Sequence, residues 1–272
     1  MKQIAIVGVG FMGGCLAAAI RHFNVCDRVI GVESDKNNAE YIIENGLVDE
    51  LVSDIPTGTD IVLIALPNQH IADWICRLAD HPAVIIDIGS VKVEILSKVE
   101  SILGSLPENY VPCHPIAGAE KTGPTEAYPG LFEKRSVAVI RHDALLSDNL
   151  ELASEFWLKL GAFTVALSAE EHDRILAKTS HLPHLLAYAF MSLIEKSEIT
   201  LSAGGLEDFT RIAGSSPDMW WEIFQLNRRE LSESIRQFSR VLEKFDRAIS
   251  EGEREAVMDI MISSAEKRKN FN

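Results

Sequence analysis

The fold of this chain is decided near its N-terminus by residues 4–13, which read IAIVGVGFMG. A short apolar strand runs directly into three glycines in the pattern GxGxxG, and a helix is predicted to follow. The first glycine of such a pattern permits a tight turn, the second lets the backbone approach a pyrophosphate, and the third lets helix and strand pack closely. The stretch therefore predicts a dinucleotide site at the helix N-terminus. Its expected cofactor-binding residues are Gly8, Gly10, Phe11, Met12 and Gly13.

Two further residues bear on the cofactor. Glu33 closes the apolar segment 28–32, roughly 20 positions after the glycines, where a carboxylate would accept hydrogen bonds from ribose hydroxyls. It would repel a 2′-phosphate, and no arginine follows it, so the sequence favours NAD over NADP. Pro67, after the segment 61–66, is a further expected cofactor contact. The alternative, a glycine-rich turn beside an exposed glutamate, accounts for fewer of these features.

The order of predicted elements divides the chain into two parts. Up to residue 166, short segments that are apolar on both faces alternate with helix-length segments, which is typical of a doubly wound parallel sheet of the Rossmann type. These strands are predicted at residues 4–7, 28–32, 61–66, 84–87, 110–113 and 137–140. Residues 168–171, SAEE, then predict a capping box that opens a helix, and almost everything after it is predicted helical. We expect a cofactor domain at residues 1–166 and an all-α domain at 167–272.

The second part carries an apolar stripe with the spacing of a coiled-coil seam. It is explained equally well by an intramolecular core stripe and by an interface between two copies of the chain. Its residues are Leu231, Ile235, Phe238, Leu242, Phe245 and Ile249.

Composition excludes several classes of partner. The 26 Lys and Arg against 40 Asp and Glu give a net charge of −14, so a nucleic-acid partner is not expected. The longest apolar stretch, residues 61–66, is far short of the ~20 residues of a membrane span, and no export signal is expected. The four cysteines lack CxxC spacing, which favours free thiols in a reducing compartment, that is, a cytoplasmic protein.

Polar residues that directly follow the predicted strands are the candidates for chemistry, because ligands bind at the carboxyl ends of parallel strands. Ser90 and His114 hold such positions. A histidine can accept a hydroxyl proton while NAD accepts a hydride, and a serine can orient that hydroxyl. His114 could instead be satisfied by backbone and Ser90 could be a helix cap. A serine hydrolase is not expected, because the sequence has no GxSxG elbow.

The helical part adds two histidines, an arginine and a tryptophan. His181 and His184 would share one helical face, but no complete ligand set accompanies them, so no metal is expected. At least one of the two is expected to be structural. Arg211 suits a substrate carboxylate, with a surface ion pair as the alternative. Trp220 could equally belong to the core.

The order of motifs GVGFMGG, DIGSVK, CHPIAGAEKTGP, SHLPH and FTRIAGSSPDMW resembles the prephenate and arogenate dehydrogenases, from residue 4 to about residue 245. The resemblance implies an NAD-binding Rossmann domain followed by a helical domain that forms a homodimer. It also implies oxidative decarboxylation of a cyclohexadienyl substrate, prephenate or arogenate, to an aromatic product.

By the same resemblance, His114 accepts the proton of the ring hydroxyl, Ser90 is its partner at that hydroxyl, and Arg211 anchors a substrate carboxylate. The other substrate-binding residues implied are His181, His184, Gly204, Trp220, Glu120 and Lys121. One alternative is a 3-hydroxyacid-type dehydrogenase of similar architecture, for which Lys178 would be the catalytic lysine. A non-catalytic NAD-sensing protein is the other.

Overall fold

A computed structural model of the chain, which describes residues 1–118 and 121–270, contains one sheet of eight strands. The strand order is β3-β2-β1-β4-β5-β6-β7-β8, with a crossover at β1. The strands are β1 (Gln3–Val7), β2 (Arg28–Val32), β3 (Glu50–Leu51), β4 (Ile61–Ile64), β5 (Val84–Asp87), β6 (Tyr110–Pro115), β7 (Ser136–Ile140) and β8 (Phe163–Leu167).

Strands β1 to β6 are parallel, as predicted, but β7 runs antiparallel to β6 and β8 runs parallel to β7. The expectation of a parallel sheet is therefore wrong for β7. A parallel return needs a crossover, usually helical, and the described part of the connection from Pro115 to Ser136 holds only two short 3₁₀ turns. Strands β3 and β8 are not among the predicted strands.

Helices cover both faces of the sheet, which confirms the doubly wound α/β fold. Alternate residues of β1 enter different cores: Ile4 and Ile6 lie in one buried cluster, and Ala5 and Val7 lie in the other. The helices of this part are α1 (Phe11–His22), α2 (Lys36–Glu44), α3 (Asn68–Arg77), α4 (Val93–Leu103) and α5 (Ser147–Lys159).

The rest of the described chain is helical, as predicted. The capping box opens it: the Ser168 side chain accepts from the Glu171 N–H at 3.1 Å, and the Ser168 N–H donates to the Glu171 carboxylate at 3.1 Å. A π-helical turn, Ala177–His181, joins the first two helices. The helices are α6 (Ala169–Leu176), α7 (Leu182–Met191), α8 (Gly204–Thr210), α9 (Pro217–Leu226), α10 (Arg228–Glu251) and α11 (Glu255–Arg268).

The apolar stripe on α10 is buried at one end only. Leu231 is buried, whereas Leu242 is 52% exposed and Ile249 is 76% exposed. An intramolecular core stripe therefore describes only the start of α10. Among the described helices, none is both long and apolar enough to cross a membrane.

Candidate active site

The glycine-rich turn between β1 and α1 is packed too tightly for a side chain at two of its three glycines. Gly8 has φ +85°, and a Cβ there would lie 2.6 Å from Leu66 Cδ2. A Cβ at Gly13 would lie 2.0 Å from the carbonyl oxygen of Gly8. At Gly10, by contrast, a Cβ would meet no described atom within 4 Å. The turn thus leaves open space at Gly10, where a phosphate can approach the backbone.

The N-terminus of α1 makes this open space favourable for an anion. The helix begins at Phe11, and no described side chain caps it at Gly10. Its first N–H groups have no partner within the helix, and the helix dipole favours negative charge there. Phe11 is buried and Met12 packs against the same core, so these two residues offer a ligand their backbone N–H groups. The turn and the helix fit the pyrophosphate of a dinucleotide.

Glu33 lies directly beyond β2 and is held there by the backbone. One oxygen of its carboxylate accepts from the Val9 N–H at 3.0 Å, and the other accepts from Ser34 and Asp35 at 2.8 and 2.9 Å. A carboxylate that is fixed beside the glycine turn retains acceptor capacity for ribose hydroxyls. Its role at the ribose stays a prediction.

Two polar loops meet at the carboxyl ends of β4 and β5. Pro67 precedes the first residue of α3, and the next residue, Asn68, accepts from the Ser90 N–H through its side-chain oxygen at 2.9 Å. This hydrogen bond fixes the backbone of the loop that carries Ser90, whose side chain stays partly exposed. Pro67 and Ser90 therefore lie on adjacent loops at the carboxyl edge of the sheet.

His114 lies on β6, next to β5, and its ring is part of a chain of hydrogen bonds. Its Nδ1 lies 2.8 Å from His172 Nε2, and His172 Nδ1 lies 2.7 Å from Asp173 Oδ1. The Asp173 carboxylate also accepts from the backbone N–H groups of Lys92 and Val93, each at 2.9 Å. These contacts join β6, the N-terminus of α4 and the first turns of α6, so the two halves of the molecule meet at this point.

Beneath this chain lies a fully buried ion pair between Lys92 and Asp87. Asp87 also accepts from the Tyr110 hydroxyl at 2.7 Å and from the Gly89 N–H at 2.8 Å. A buried charge is stable only when paired and hydrogen-bonded, and both conditions are met here. Burial, with the Asp87 charge adding to it, raises the pKa of Tyr110 well above its usual value. The cluster fixes the turn that carries Ser90.

The surroundings of His114 disfavour the charged form of its ring. Burial lowers the pKa of His114 well below its usual value, and nearby basic residues lower it further. A neutral imidazole at neutral pH has one unprotonated nitrogen, which can accept a proton. The nearby basic residues are His172, Lys92 and His181.

A second group of rings lies on the helical side. The His184 ring stacks on Trp220 with centroids 3.6 Å apart, and His181 meets the same indole edge-on at 6.1 Å. Asn227 joins this group to the first, because its side-chain nitrogen contacts His181 Nδ1 at 3.1 Å and donates to the Asp173 carbonyl at 2.7 Å. Burial lowers the pKa of His181 to about 4. The helix does continue through Pro183, and His181 is the more buried of the two histidines.

The structure describes three of the remaining predicted residues, namely Arg211, Gly204 and Lys121. Arg211 begins a 3₁₀ turn that packs against α7, with its side chain exposed. Gly204 begins α8 and is exposed, and a Cβ there would meet no described atom. Lys121 forms an ion pair with Glu126 at 2.9 Å. Glu120 falls outside the described residues.

Sequence reasoning missed three residues of the site, His172, Asp173 and Lys92. The first two directly follow the capping box at Ser168, which was the available signal that they occupy the first turns of a helix. Their bonding partners lie 58 and 81 positions away, so no local pattern connects them. Across residues 1–118 and 121–270, no group of three His, Cys, Asp or Glu side chains could hold a metal ion.

Comparison with family models matches both halves of the chain. Residues 16–166 match the nucleotide-binding domain of prephenate dehydrogenase, and residues 168–263 match its dimerization domain.

Individual relatives agree with the family models. A cyclohexadienyl dehydrogenase from Zymomonas mobilis is 32% identical over 269 residues, covering 92% of this chain and 89% of its own length. A prephenate dehydrogenase from Bacillus subtilis is 28% identical, covering 89% of this chain and 68% of its own length. The crystal structure of the Aquifex aeolicus prephenate dehydrogenase in complex with hydroxyphenyl propionate and NAD+ superposes with a TM-score of 0.87 at 29% identity. That match covers 100% of this chain and 99% of the Aquifex chain.

Proposed function

The chain belongs to the prephenate dehydrogenase family, and from this membership we propose that it catalyses an NAD-dependent oxidative decarboxylation in tyrosine biosynthesis. The substrate is prephenate, giving 4-hydroxyphenylpyruvate, or arogenate, giving tyrosine, or both. The observation that carries the proposal is the position of His114 at the carboxyl end of β6, with its Nδ1 bonded to His172, at the same edge of the sheet as the glycine turn and Glu33.

The chemistry asks three things of the protein: a base at the ring hydroxyl, a fixed position for the ring, and exclusion of competing charges. His114 takes the hydroxyl proton as the hydrogen on the same carbon leaves with its electron pair. NAD, when bound, accepts that hydride. The bond to the ring carboxylate then breaks and carbon dioxide leaves. The electron pair of that bond restores the aromatic ring and leaves a negative charge on the ring oxygen, which takes the proton back. Ser90 orients the hydroxyl toward His114.

The substrate is anionic although the protein carries a net charge of −14, so local donors must attract it. We assign Arg211 to a substrate carboxylate, because guanidinium binds carboxylate through two parallel hydrogen bonds. Trp220 supports a pocket beside the paired histidines: among the described residues its buried indole N–H has no hydrogen-bond partner, and a buried donor is expected to find one. The other residues assigned to this pocket are His181, His184, Gly204, Glu120 and Lys121.

We also propose that residues 1–166 form the cofactor domain and residues 167–272 the substrate-binding and dimerisation domain of a homodimer. The change from sheet to helices after β8 supports the boundary. The exposed apolar residues Leu242 and Ile249 on α10 support an interface there.

The test is to follow NADH absorbance with purified protein, NAD and either prephenate or arogenate, and to repeat the assay with NADP. We expect NADH formation with at least one of the two substrates and much weaker activity with NADP. Absence of turnover with both substrates would contradict the proposal. Turnover of a 3-hydroxyacid instead would favour the alternative dehydrogenase, although Lys178 is exposed on the π-helical turn.

A further inference from the structure

The contacts of Asp173 fix the direction of the hydrogen bonds that end at His114. Its Oδ1 accepts from the Lys92 backbone N–H, and its Oδ2 accepts from the Val93 backbone N–H. Backbone N–H groups can only donate, so this carboxylate is an acceptor on both oxygens. The Nδ1 of His172, which lies 2.7 Å from Oδ1, must therefore carry a hydrogen.

The direction of the His172–Asp173 hydrogen bond determines the direction of the next one, between His172 and His114. With one proton on each imidazole, a His172 ring that is protonated at Nδ1 has a lone pair at Nε2. The neighbouring His114 Nδ1, 2.8 Å away, must then donate. The unprotonated nitrogen of His114 is its Nε2, the atom that accepts a proton from substrate in the proposed reaction.

Burial of His172 and Asp173 limits the alternative partners that could reverse these hydrogen bonds. His172 is 0% exposed and Asp173 is 2% exposed, so water has little access to offer the His172 ring or the Asp173 carboxylate another partner. The two residues belong to α6 of the helical part, whereas His114 and the N–H groups that hold Asp173 belong to the sheet part. The protonation pattern of His114 is thus set from across the boundary between the two parts.

We propose that His172 is a positioning residue that, backed by Asp173, holds His114 in the tautomer with Nδ1 protonated and Nε2 free for substrate. The role rests on the proposed function, because it acts through His114 as the base. A histidine that is held in the wrong tautomer cannot accept the proton even when its ring is correctly placed.

The variants His172→Gln and His172→Leu separate this role from simple packing. The glutamine amide has an oxygen that can accept from His114 and a nitrogen that can donate to Asp173, as the two ring nitrogens of histidine do. Leucine fills the space without either group. His172→Asn, which is polar but shorter, replaces His172→Leu in the comparison if the leucine variant does not fold. The matched control is His142→Gln, at a partly buried histidine that bonds the Tyr110 carbonyl.

The first measurement is the nitrogen NMR spectrum of histidine-labelled protein, in which protonated and unprotonated ring nitrogens are resolved and the His114→Asn spectrum assigns the signals. We expect protonated Nδ1 and free Nε2 at His114 in the wild type and in His172→Gln. In His172→Leu the Nε2-protonated tautomer should appear. This measurement needs no substrate, so it tests the relay even if the proposed reaction is wrong.

The second measurement is steady-state kinetics with the substrate that the wild type turns over. We expect His172→Leu to lower kcat by about 10²-fold, the scale of a lost acid–base contribution, with the substrate KM changed far less. His172→Gln should recover most of that loss, and His142→Gln should match the wild type. Equal losses in the glutamine and leucine variants, or an unchanged His114 tautomer in His172→Leu, would overturn the positioning role while leaving the proposed reaction intact.

Discussion

The two ends of the candidate site are built on opposite principles. The cofactor end depends on missing side chains. A Cβ at Gly13 would clash with the backbone, and the lack of a Cβ at Gly10 leaves open space for a ligand. The catalytic end depends on polar side chains that hold one another in a fixed direction, from His114 through His172 to Asp173. The first is contained in six consecutive residues, and the second joins residues 58 positions apart. Changes at the first should alter space and binding, and changes at the second should alter proton transfer.

The largest effect is expected at His114. Asparagine keeps polarity and some hydrogen bonding but cannot serve as a base at neutral pH, so His114→Asn should lower kcat by about 10² to 10⁴-fold. NAD affinity should stay at the wild-type value, because the cofactor end is untouched. Steady-state kinetics and an NAD titration of the purified variant measure both quantities. A variant with near-wild-type turnover would remove His114 from the reaction.

A pair of substitutions in the glycine turn tests the role of space. In Gly13→Ala the new Cβ would lie 2.0 Å from a backbone oxygen, so the turn must open, and the free energy of unfolding should fall by about 3 kcal/mol. In Gly10→Ala the Cβ meets no described atom, and stability should stay within about 0.5 kcal/mol of the wild type.

The same pair should separate folding from binding. Gly10→Ala should still weaken NAD, by about tenfold or 1.4 kcal/mol, because its methyl group occupies the open space beside α1. Denaturant unfolding and NAD titrations of both variants make the comparison. If both alanines changed stability equally, the open space at Gly10 would have no special role.

Asp173→Asn tests the junction between the two parts. Its carboxylate accepts from two backbone N–H groups and one imidazole, and an amide would turn its NH₂ toward at least one of these donors. The free energy of unfolding should fall by about 1 to 3 kcal/mol, the usual cost of an unsatisfied buried group.

The control for this change is Asp35→Asn. Asp35 caps α2 by accepting from Asn38 at 2.9 Å on an exposed surface, and asparagine caps a helix as well as aspartate does. Denaturant unfolding of both variants should therefore show a loss only at Asp173. A similar loss in both would mean that burial of the donor set does not matter.

The smallest effect is expected from pH. An imidazole with an ordinary pKa of about 6.5 would be mostly protonated at pH 6. Because burial lowers the pKa of His114 well below that value, the base stays neutral and kcat/KM should change by less than about twofold between pH 7.5 and pH 6. A pH profile of the wild-type enzyme measures it. A loss of activity centred near pH 6.5 would mean that His114 is not buried in the working enzyme.

The same contrast explains what the sequence could predict. The glycine turn, Glu33 and the helix start at Ser168 are local patterns with a local physical cause, and the structure agrees with each of them. His114 was reached through the rule that ligands bind at strand ends. The site's wider polar network could not be predicted, because a lone Lys92 in a sequence looks like a surface residue and no local pattern shows that it pairs with Asp87.

Strand direction shows the same limit. The apolar pattern of residues 137–140 predicts a strand but is identical for either direction, and only the lack of a helix in the described connection before it favours the antiparallel one. The edge strand β8 is not among the predicted strands, and two of its apolar residues, Phe163 and Val165, are exposed. Pattern alone does not say which strand lies at the edge of a sheet.

The π-helical turn Ala177–His181 makes the chain tolerant of a change in length at one place. A π turn holds one residue more than an α-helical turn, so a chain that is one residue shorter there closes into regular α-helix with the residues that follow on nearly the same face. The same deletion at Leu182 or Pro183, in regular α-helix, would rotate the downstream side chains by about 100° and carry His184 off Trp220. A homologue or design that is one residue shorter in this region should therefore lose that residue from the π turn.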